Sequence, residues 1–503
     1  MKKTFRRILA SIVLASLTVA LFACTGDKKG QTTSSITVGI PQDLDGLDPH
    51  TAVSAGTKEI LFNVYEGLVK PDSDGNLVPA VASAVDASDD GKVYTFTLRD
   101  GVKFHDGTAV TVEDVKYSIE RCAGTDGSEP LVSAFSNIES VETSDDSTIT
   151  ITLKEADTEF LAYMDAAIIP AANDANTNTK AIGTGPYKLT SWSAQEEVVL
   201  EKFDDYWGTP ANISTVNIKI IADTDAIVTS LNGGGVDFFA RVSADQVAQL
   251  SSDYEIYEGP MNLVQALFLN NGVEPFDNVL VRQALCYAAD QQNIMDLTSD
   301  GKGFEIGSSM FPSFGKYYIE ELNDVYNKDV DKAKALLKEA GYEDGFTFTI
   351  TVPSNYTQHV DTAQVLKEQF KEIGVTAEIK LVEWETWLSE VYADRNYQAT
   401  VIGLTASQLT ASSLLSRFVS DASNNFINFN SEAYDTAYKA AALTTDDDEK
   451  TAGYKECETI LTNEASSVYI QDMVAFVALN KKYAGYVFYP AYIQDFAKLY
   501  VVE

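Results

Sequence analysis

The sequence predicts an α/β protein with more than one core, and three observations carry that prediction. Phe346 to Val352 alternates as a half-buried strand does, Val360 to Ile373 repeats its apolar residues at helical spacing with Gly374 just beyond, and Val375 to Val382 alternates again. That order is a strand–helix–strand unit. Residues 62–182 differ: they are dense in short strand-like stretches and in reversals such as Asp74-Gly75, Asp90-Gly91 and Asp145-Asp146, and read as a separate, β-richer subdomain. Finally, 503 residues at 45% apolar composition can fill two or three cores.

Taken in order, the chain opens with a cationic stretch (Lys2, Lys3, Arg6, Arg7), an apolar run from Ile8 to Phe22, and Leu21-Phe22-Ala23-Cys24, a small residue just before a cysteine. This is the form of a lipoprotein signal peptide, residues 1–23, with lipid expected on Cys24. About fifteen mostly apolar residues are too few to span a bilayer, which needs roughly twenty. Residues 24–35, polar and rich in Gly, Lys, Ser and Thr, read as a flexible tether. Removing the leader lowers 37 basic residues to 33 against 74 acidic ones, a formal net charge of −41. A body so acidic repels nucleic acid and anionic headgroups, so no nucleic-acid partner is expected and membrane attachment falls to the lipid.

Thr95 to Leu98 alternates as a strand, Asp100-Gly101 and Asp106-Gly107 supply two tight reversals around the short extended piece Val102-Lys103-Phe104, and Thr111-Val112-Glu113-Asp114 is a capping box that starts a helix. Asp329 to Ala340 is a helix closed by Gly341, Trp384 to Tyr392 a short helix, and Gln398 to Gly403 a further strand of the α/β layer. Beyond Cys24 there are only Cys122, Cys286 and Cys457, which excludes a disulfide framework; Cys286 is expected to be a small buried hydrophobe. His50, His105 and His359 are far apart and form no metal-ligand spacing. Asp72 to Asn76 reads as a hairpin turn rather than a calcium loop, and Asp446 to Glu449 as a solvated helix start rather than a metal cluster. No phosphate loop, dinucleotide fingerprint or nucleophile elbow occurs, so neither cofactor nor metal is expected.

Six ordered motifs then point one way. They are the run Thr95 to Val115, Leu47-Asp48-Pro49, Tyr65-Glu66-Gly67-Leu68, Gly183-Thr184-Gly185-Pro186-Tyr187, Asp205-Tyr206-Trp207-Gly208, and Pro275-Phe276-Asp277-Asn278 running into Val281-Arg282-Gln283-Ala284-Leu285. Together they resemble the family 5 extracytoplasmic solute-binding proteins, the peptide/nickel receptors of ABC importers. The resemblance implies a periplasmic-binding-protein-like clamshell of two lobes, monomeric and non-enzymatic, working with importer permeases on a peptide or small-molecule ligand. It implies a first lobe from 36–57, 183–267 and 478–503, the extra β-rich subdomain inserted at 58–182, and a second lobe at 268–477. The chain is then expected to cross between lobes near Ala266 to Asn270 and near Phe476 to Asn480, forming a hinge.

Carried over by motif, the ligand contacts would be Val53, Ser54 and Ala55, then Ser354 and Tyr356, Glu383 with Trp384, and Gly403, Leu404 and Ser407. The chain departs here from the dipeptide-binding pattern. Gly-Trp-x-x-Asp, whose Asp pairs the ligand's amine, reads Gly403-Leu404-Thr405-Ala406-Ser407, and Ser354 stands where the base for the carboxylate is expected. Burying an ammonium or carboxylate without a partner costs several kcal/mol. Arg241, Arg395 or Arg417 is therefore the candidate substitute for the base and Asp421 for the acid, while Trp384 and Tyr356 offer flat area for packing. Trp387, one helical turn on, is expected in the core. An oligopeptide is the leading ligand; the alternatives are a non-peptide small molecule, a nickel chelate held by His50 or His359, or an extracellular glycosidase with carboxylates ~5–10 Å apart.

Overall fold

The computed structural model describes residues 34–52, 54–406, 408 and 410–502. The leader, Cys24, Val53 and Ser407 lie outside the described residues. From Ser35 onward the chain is organised around two large sheets.

The first lobe is built on seven strands in the spatial order Tyr254–Pro260, Val474–Asn480, Phe238–Val242, Ser35–Ile40, Thr215–Ile220, Glu197–Lys202, Tyr187–Ser193. Ser35–Ile40 is parallel to both of its neighbours. The sheet is covered on both faces. Phe238, Val477 and Leu479 point into one core and Phe239, Phe476 and Ala478 into the other, the two-residue alternation a strand imposes.

The second lobe is a six-stranded sheet in the order Phe304–Glu305, Ser467–Asp472, Leu263–Leu269, Ala399–Thr405, Thr347–Pro353, Thr376–Val382. All seven residues of Leu263–Leu269 are buried, as expected for a strand sandwiched between helical layers. Leu267 and Leu269 enter one core; Val264, Ala266 and Phe268 enter the other. The strand–helix–strand unit is present as read: Thr347–Pro353 and Thr376–Val382 pair in parallel, joined by the helix Thr357–Lys371.

The β-rich subdomain is a four-stranded antiparallel sheet, Ala82–Ala87, Val93–Leu98, Thr148–Leu153, Ile138–Thr143, with its own core running from Leu68 to Ile182. Thr111 accepts from the Asp114 N–H and Asp114 accepts from the Thr111 N–H, completing the capping box. Gly101 and Gly107 hold the positive φ their turns need, 76° and 90°. The expected lower limit of the insertion, residue 58, falls too early. Ile60, Leu61, Val64 and Tyr65 pack in the first lobe's core, because the helix Ala55–Leu61 presents its apolar face there.

The crossings also differ from expectation. The first-lobe strand ends at Pro260 and the second-lobe strand begins at Leu263; the return runs from Asp472 to Val474. Ala266–Asn270 and Phe476–Asn480 lie instead within or at the end of strands, since continuous apolar runs mark a strand buried on both faces and give no sign of where it changes sheet.

Candidate functional site

Strand register brings one edge of each sheet together. In the second lobe Val382 lies beside Pro353, and Thr405 beside Leu263, with Gln471 and Asp472 on the next strand. In the first lobe Ile40 lies beside Ile220, Val242 beside Phe476, and Pro260 beside Val474. Both crossings join these two edges. The crevice outside the carboxyl ends of the parallel strands is where open α/β sheets take ligands.

On the first-lobe wall, a bulge between Ala240 and Val242 gives Arg241 a φ of 59°, a left-handed backbone that re-aims its side chain. The guanidinium donates twice to Glu59, at 2.5 and 2.7 Å, and lies 5.2 Å from the centre of the Tyr492 ring. Burial works against its charge, but the Glu59 carboxylate holds it protonated, with its pKa raised. These residues line a half-open cavity with Met261, Asn262, Tyr486, Tyr489 and Gln494. Burial raises the Tyr492 phenol to about 12; Arg241 pulls it back, while Glu59, Asp472 and Tyr356 push it further up.

At the hinge, the fully buried Asp472 accepts from the Leu263 N–H at 3.0 Å, tying the return crossing to the outgoing one. Burial pushes its carboxyl up to about 8, although the Leu263, Asn262 and Met261 N–H groups favour its ionised form. Asn262, also left-handed at φ 59°, donates to the Tyr489 carbonyl and accepts from Ser313 Oγ.

On the second-lobe wall the expected residues are adjacent. Ser354 directly follows the strand Thr347–Pro353, its N–H bonded to the Val382 carbonyl, and Tyr356 precedes the helix Thr357–Lys371. Tyr356 is 41% exposed and meets Trp384 edge-on at 5.4 Å. Trp384 stacks on Trp387 at 5.1 Å, and Trp387 is buried, as read from its spacing, donating to Thr400 Oγ1. Gly403 stands opposite Gln265, where a Cβ would strike the Leu263 side chain at 2.3 Å. Leu404 is 7% exposed and packs in the core cluster of Trp387, alternation turning its side chain away from the face of Gly403. On the first-lobe side, Ser54 caps the helix Ala55–Leu61 and its N–H is bonded to Asp45.

The remaining candidates separate. Arg395 is spent on Asn428 and the Ser423 carbonyl, a structural role. Arg417 is half-buried with no carboxylate partner among the described residues, its pKa lowered by burial, and Asp421 is exposed. His50 has both ring nitrogens engaged, by Arg121 and the Ala167 carbonyl, and His359 Nδ1 is bonded to Gln265. Cys286 is buried and burial pushes its thiol up to about 12, in keeping with an inert hydrophobe. Glu59, Asp472, Asn262 and Tyr492 escape the sequence reading. Asp472 alone carried a signal, a lone charge between the apolar runs Val468–Ile470 and Val474–Leu479.

The profile of the bacterial extracellular solute-binding proteins, family 5, matches residues 76–426. The glutathione-binding protein GsiB of Salmonella typhimurium is 29% identical, over 91% of either chain. Among solved structures, the ABC transporter substrate-binding protein CtaP of Listeria monocytogenes is 27% identical and superposes with a TM-score of 0.84, covering 93% of this chain and 99% of that one. DppA of Helicobacter pylori, solved with the peptide STSA, is 25% identical with a TM-score of 0.79, covering 93% and 98%. With the profile spanning most of the chain and the clamshell reproduced, this protein belongs to the family 5 extracellular solute-binding proteins of ABC importers.

Proposed function

We propose that the protein captures a short extracellular peptide between its lobes and presents it, unchanged, to an ABC importer. The observation that carries this is a cavity beside the crossing between the lobes, lined by Glu59, Arg241, Tyr486, Tyr489 and Tyr492 together with Met261 and Asn262 of the outgoing crossing. A ligand seated there that also reached Tyr356 and Trp384 of the second lobe would complete its contacts only when the clamshell is shut; binding would then drive closure as a population shift. The flat faces of Tyr356 and Trp384 suit peptide side chains. Ser54, Ala55 and Gly403 are proposed as further contacts through backbone, with Val53, Ser354 and Ser407. Glu59 commits both oxygens to Arg241, which argues against a free acid–base role.

The peptide relatives support this reading: DppA was solved with a tetrapeptide and GsiB is named for glutathione. A lipid on Cys24 would hold the monomer at the outer face of the membrane, and Cys24→Ser is expected to release it into the medium. The test of capture is calorimetric titration with di-, tri- and tetrapeptides and glutathione. Saturable one-to-one binding with the peptide recovered intact is expected; no binding across the panel, or hydrolysis of the peptide, would overturn the reading.

A further inference from the structure

We propose that the inserted β-rich subdomain carries a latch for the closed clamshell: its segment Asp157-Thr158-Glu159 docks on the helix Asp447–Asn463 of the second lobe and biases the lobes toward closure from outside the ligand cavity. The inference goes beyond the peptide reading above, because it concerns how the lobes are held and not what they hold.

Each side of the contact is fixed to its own half of the molecule. The subdomain rides with the first lobe, since Arg121 of its helix Val112–Ala123 donates to Asp48 at 2.5 and 3.2 Å. The docking segment is held in shape before it meets anything: the Asp157 N–H is bonded to the Gly91 carbonyl, the Asp157 carbonyl accepts from the Tyr94 hydroxyl at 2.5 Å, and the Asp157 carboxylate accepts from the Glu159 N–H. On the other side Tyr454 is fully buried in a second-lobe core, its ring 5.7 Å from that of Tyr317 and 6.0 Å from that of Tyr438.

Hydrogen bonds cross between these two prepared surfaces. Tyr454 donates to the Glu159 carboxylate at 2.8 Å, Lys450 donates to the Thr158 hydroxyl, and that hydroxyl donates to the Thr444 carbonyl at 3.4 Å. Thr158 thus links Lys450 to the turn that precedes its own helix. The buried Lys450 draws its electrostatic support first from Glu159 and Asp157, both across the contact. Backbone shape fits the same purpose. Gly91 has a φ of 66°, and a Cβ there would stand 3.0 Å from the Thr158 methyl and 3.6 Å from that of Thr445, so a residue without a side chain lets the surfaces meet. Thr158, Glu159, Lys450 and Tyr454 are not among the residues that line the cavity, so what they contribute to closure is independent of its occupant. Hydrogen bonds to a charged group are the stronger kind, and a contact made only with the lobes together adds its whole worth to the closed state.

The experiment is small-angle scattering of the full mature chain, refolded after removal of co-purified ligand, with and without a random tripeptide pool. Tyr454→Phe keeps the ring and removes the hydroxyl; Gly91→Asn tolerates the left-handed backbone but puts a side chain into the contact. Each is expected to raise the open-to-closed ratio roughly tenfold without peptide, the scale of one hydrogen bond to a charged group, seen as a larger radius of gyration. Glu159→Ala is expected to act likewise, and Glu159→Ala combined with Tyr454→Phe to do no more than either alone, a coupling that two independent structural roles would not produce. Variant profiles identical to the native one, or additive effects in the double variant, would overturn the latch. Variants that open while the tripeptide pool changes no profile would support the latch and count against the peptide reading; a pool that compacts all chains, with no difference between them beforehand, would do the reverse. Tyr454→Phe and Glu159→Ala, checked for native circular dichroism spectra, decide the matter if Gly91→Asn does not fold.

Discussion

The two walls of the cleft are built on opposite principles. The first-lobe wall and hinge are ionic: an arginine aimed by a bulge, a carboxylate paired to it, and a second carboxylate at the pivot. The second-lobe wall is neutral, with Tyr356 and Trp384 backed by the stacked Trp387. Charge is thus concentrated beside the crossings, and flat apolar area lies on the second lobe. Ionic contacts need fixed geometry to offset desolvation, whereas aromatic packing tolerates adjustment.

The sharpest way to break this contrast is to remove the arginine. Arg241→Ala strands Glu59 in a buried site, and urea unfolding is expected to show a loss of about 3–5 kcal/mol, largely recovered by pairing Arg241→Met with Glu59→Gln. A loss within experimental error would mean that the pair is a surface contact.

Proton linkage gives the next effect. Burial pushes Asp472 and Glu458 up to about 8, from ordinary values of 3.8 and 4.5. Between those limits the folded state holds protons that the unfolded chain releases. Stability is therefore expected to fall as pH rises from about 4.5 to about 8, by up to about 1.4 kcal/mol per pH unit for each group. Glu458→Gln, at a site where Ser308 already donates to the carboxylate, should flatten that slope in thermal melts across pH. An unchanged slope would contradict the burial argument.

On the neutral wall, Trp384→Ala should weaken peptide affinity about tenfold in calorimetry while moving the melting temperature little, since Trp384 is only partly buried. If affinity is unchanged, the aromatic wall is scaffold and not contact.

A smaller effect is expected away from these walls, where the β-rich subdomain touches the second lobe. Lys450 donates to Thr158, Tyr454 donates to Glu159 at 2.8 Å, and Thr158 donates to the Thr444 carbonyl. Burial lowers the Lys450 pKa while Glu159 and Asp157 support its charge. Lys450→Met should favour the open form and reduce peptide affinity a few-fold, with an increased radius of gyration in solution scattering. A scattering profile and affinity identical to those of the native chain would show that closure does not depend on this contact.

Local signals made much of the fold legible. Asp-Gly turns, the Thr111–Asp114 box and the alternation on either side of the Thr357–Lys371 helix each act within a few residues. Tyr356 and Trp384, named through the family resemblance, stand just after the two parallel strands of that unit. Arg241 stood out only as one of three arginines, because its partner is 182 residues away and nothing in either neighbourhood announces the other. The crossings were misplaced because a strand covered on both faces reads as an unbroken apolar run. Asp472 takes its meaning from a backbone N–H on a strand 209 residues earlier.

The central claim is that a peptide enters this cleft and leaves it whole. Native mass spectrometry of the refolded mature chain mixed with a tripeptide pool tests it most directly. One peptide per chain, released at its original mass, is the predicted result; an empty protein, or a peptide returned shortened, would contradict it.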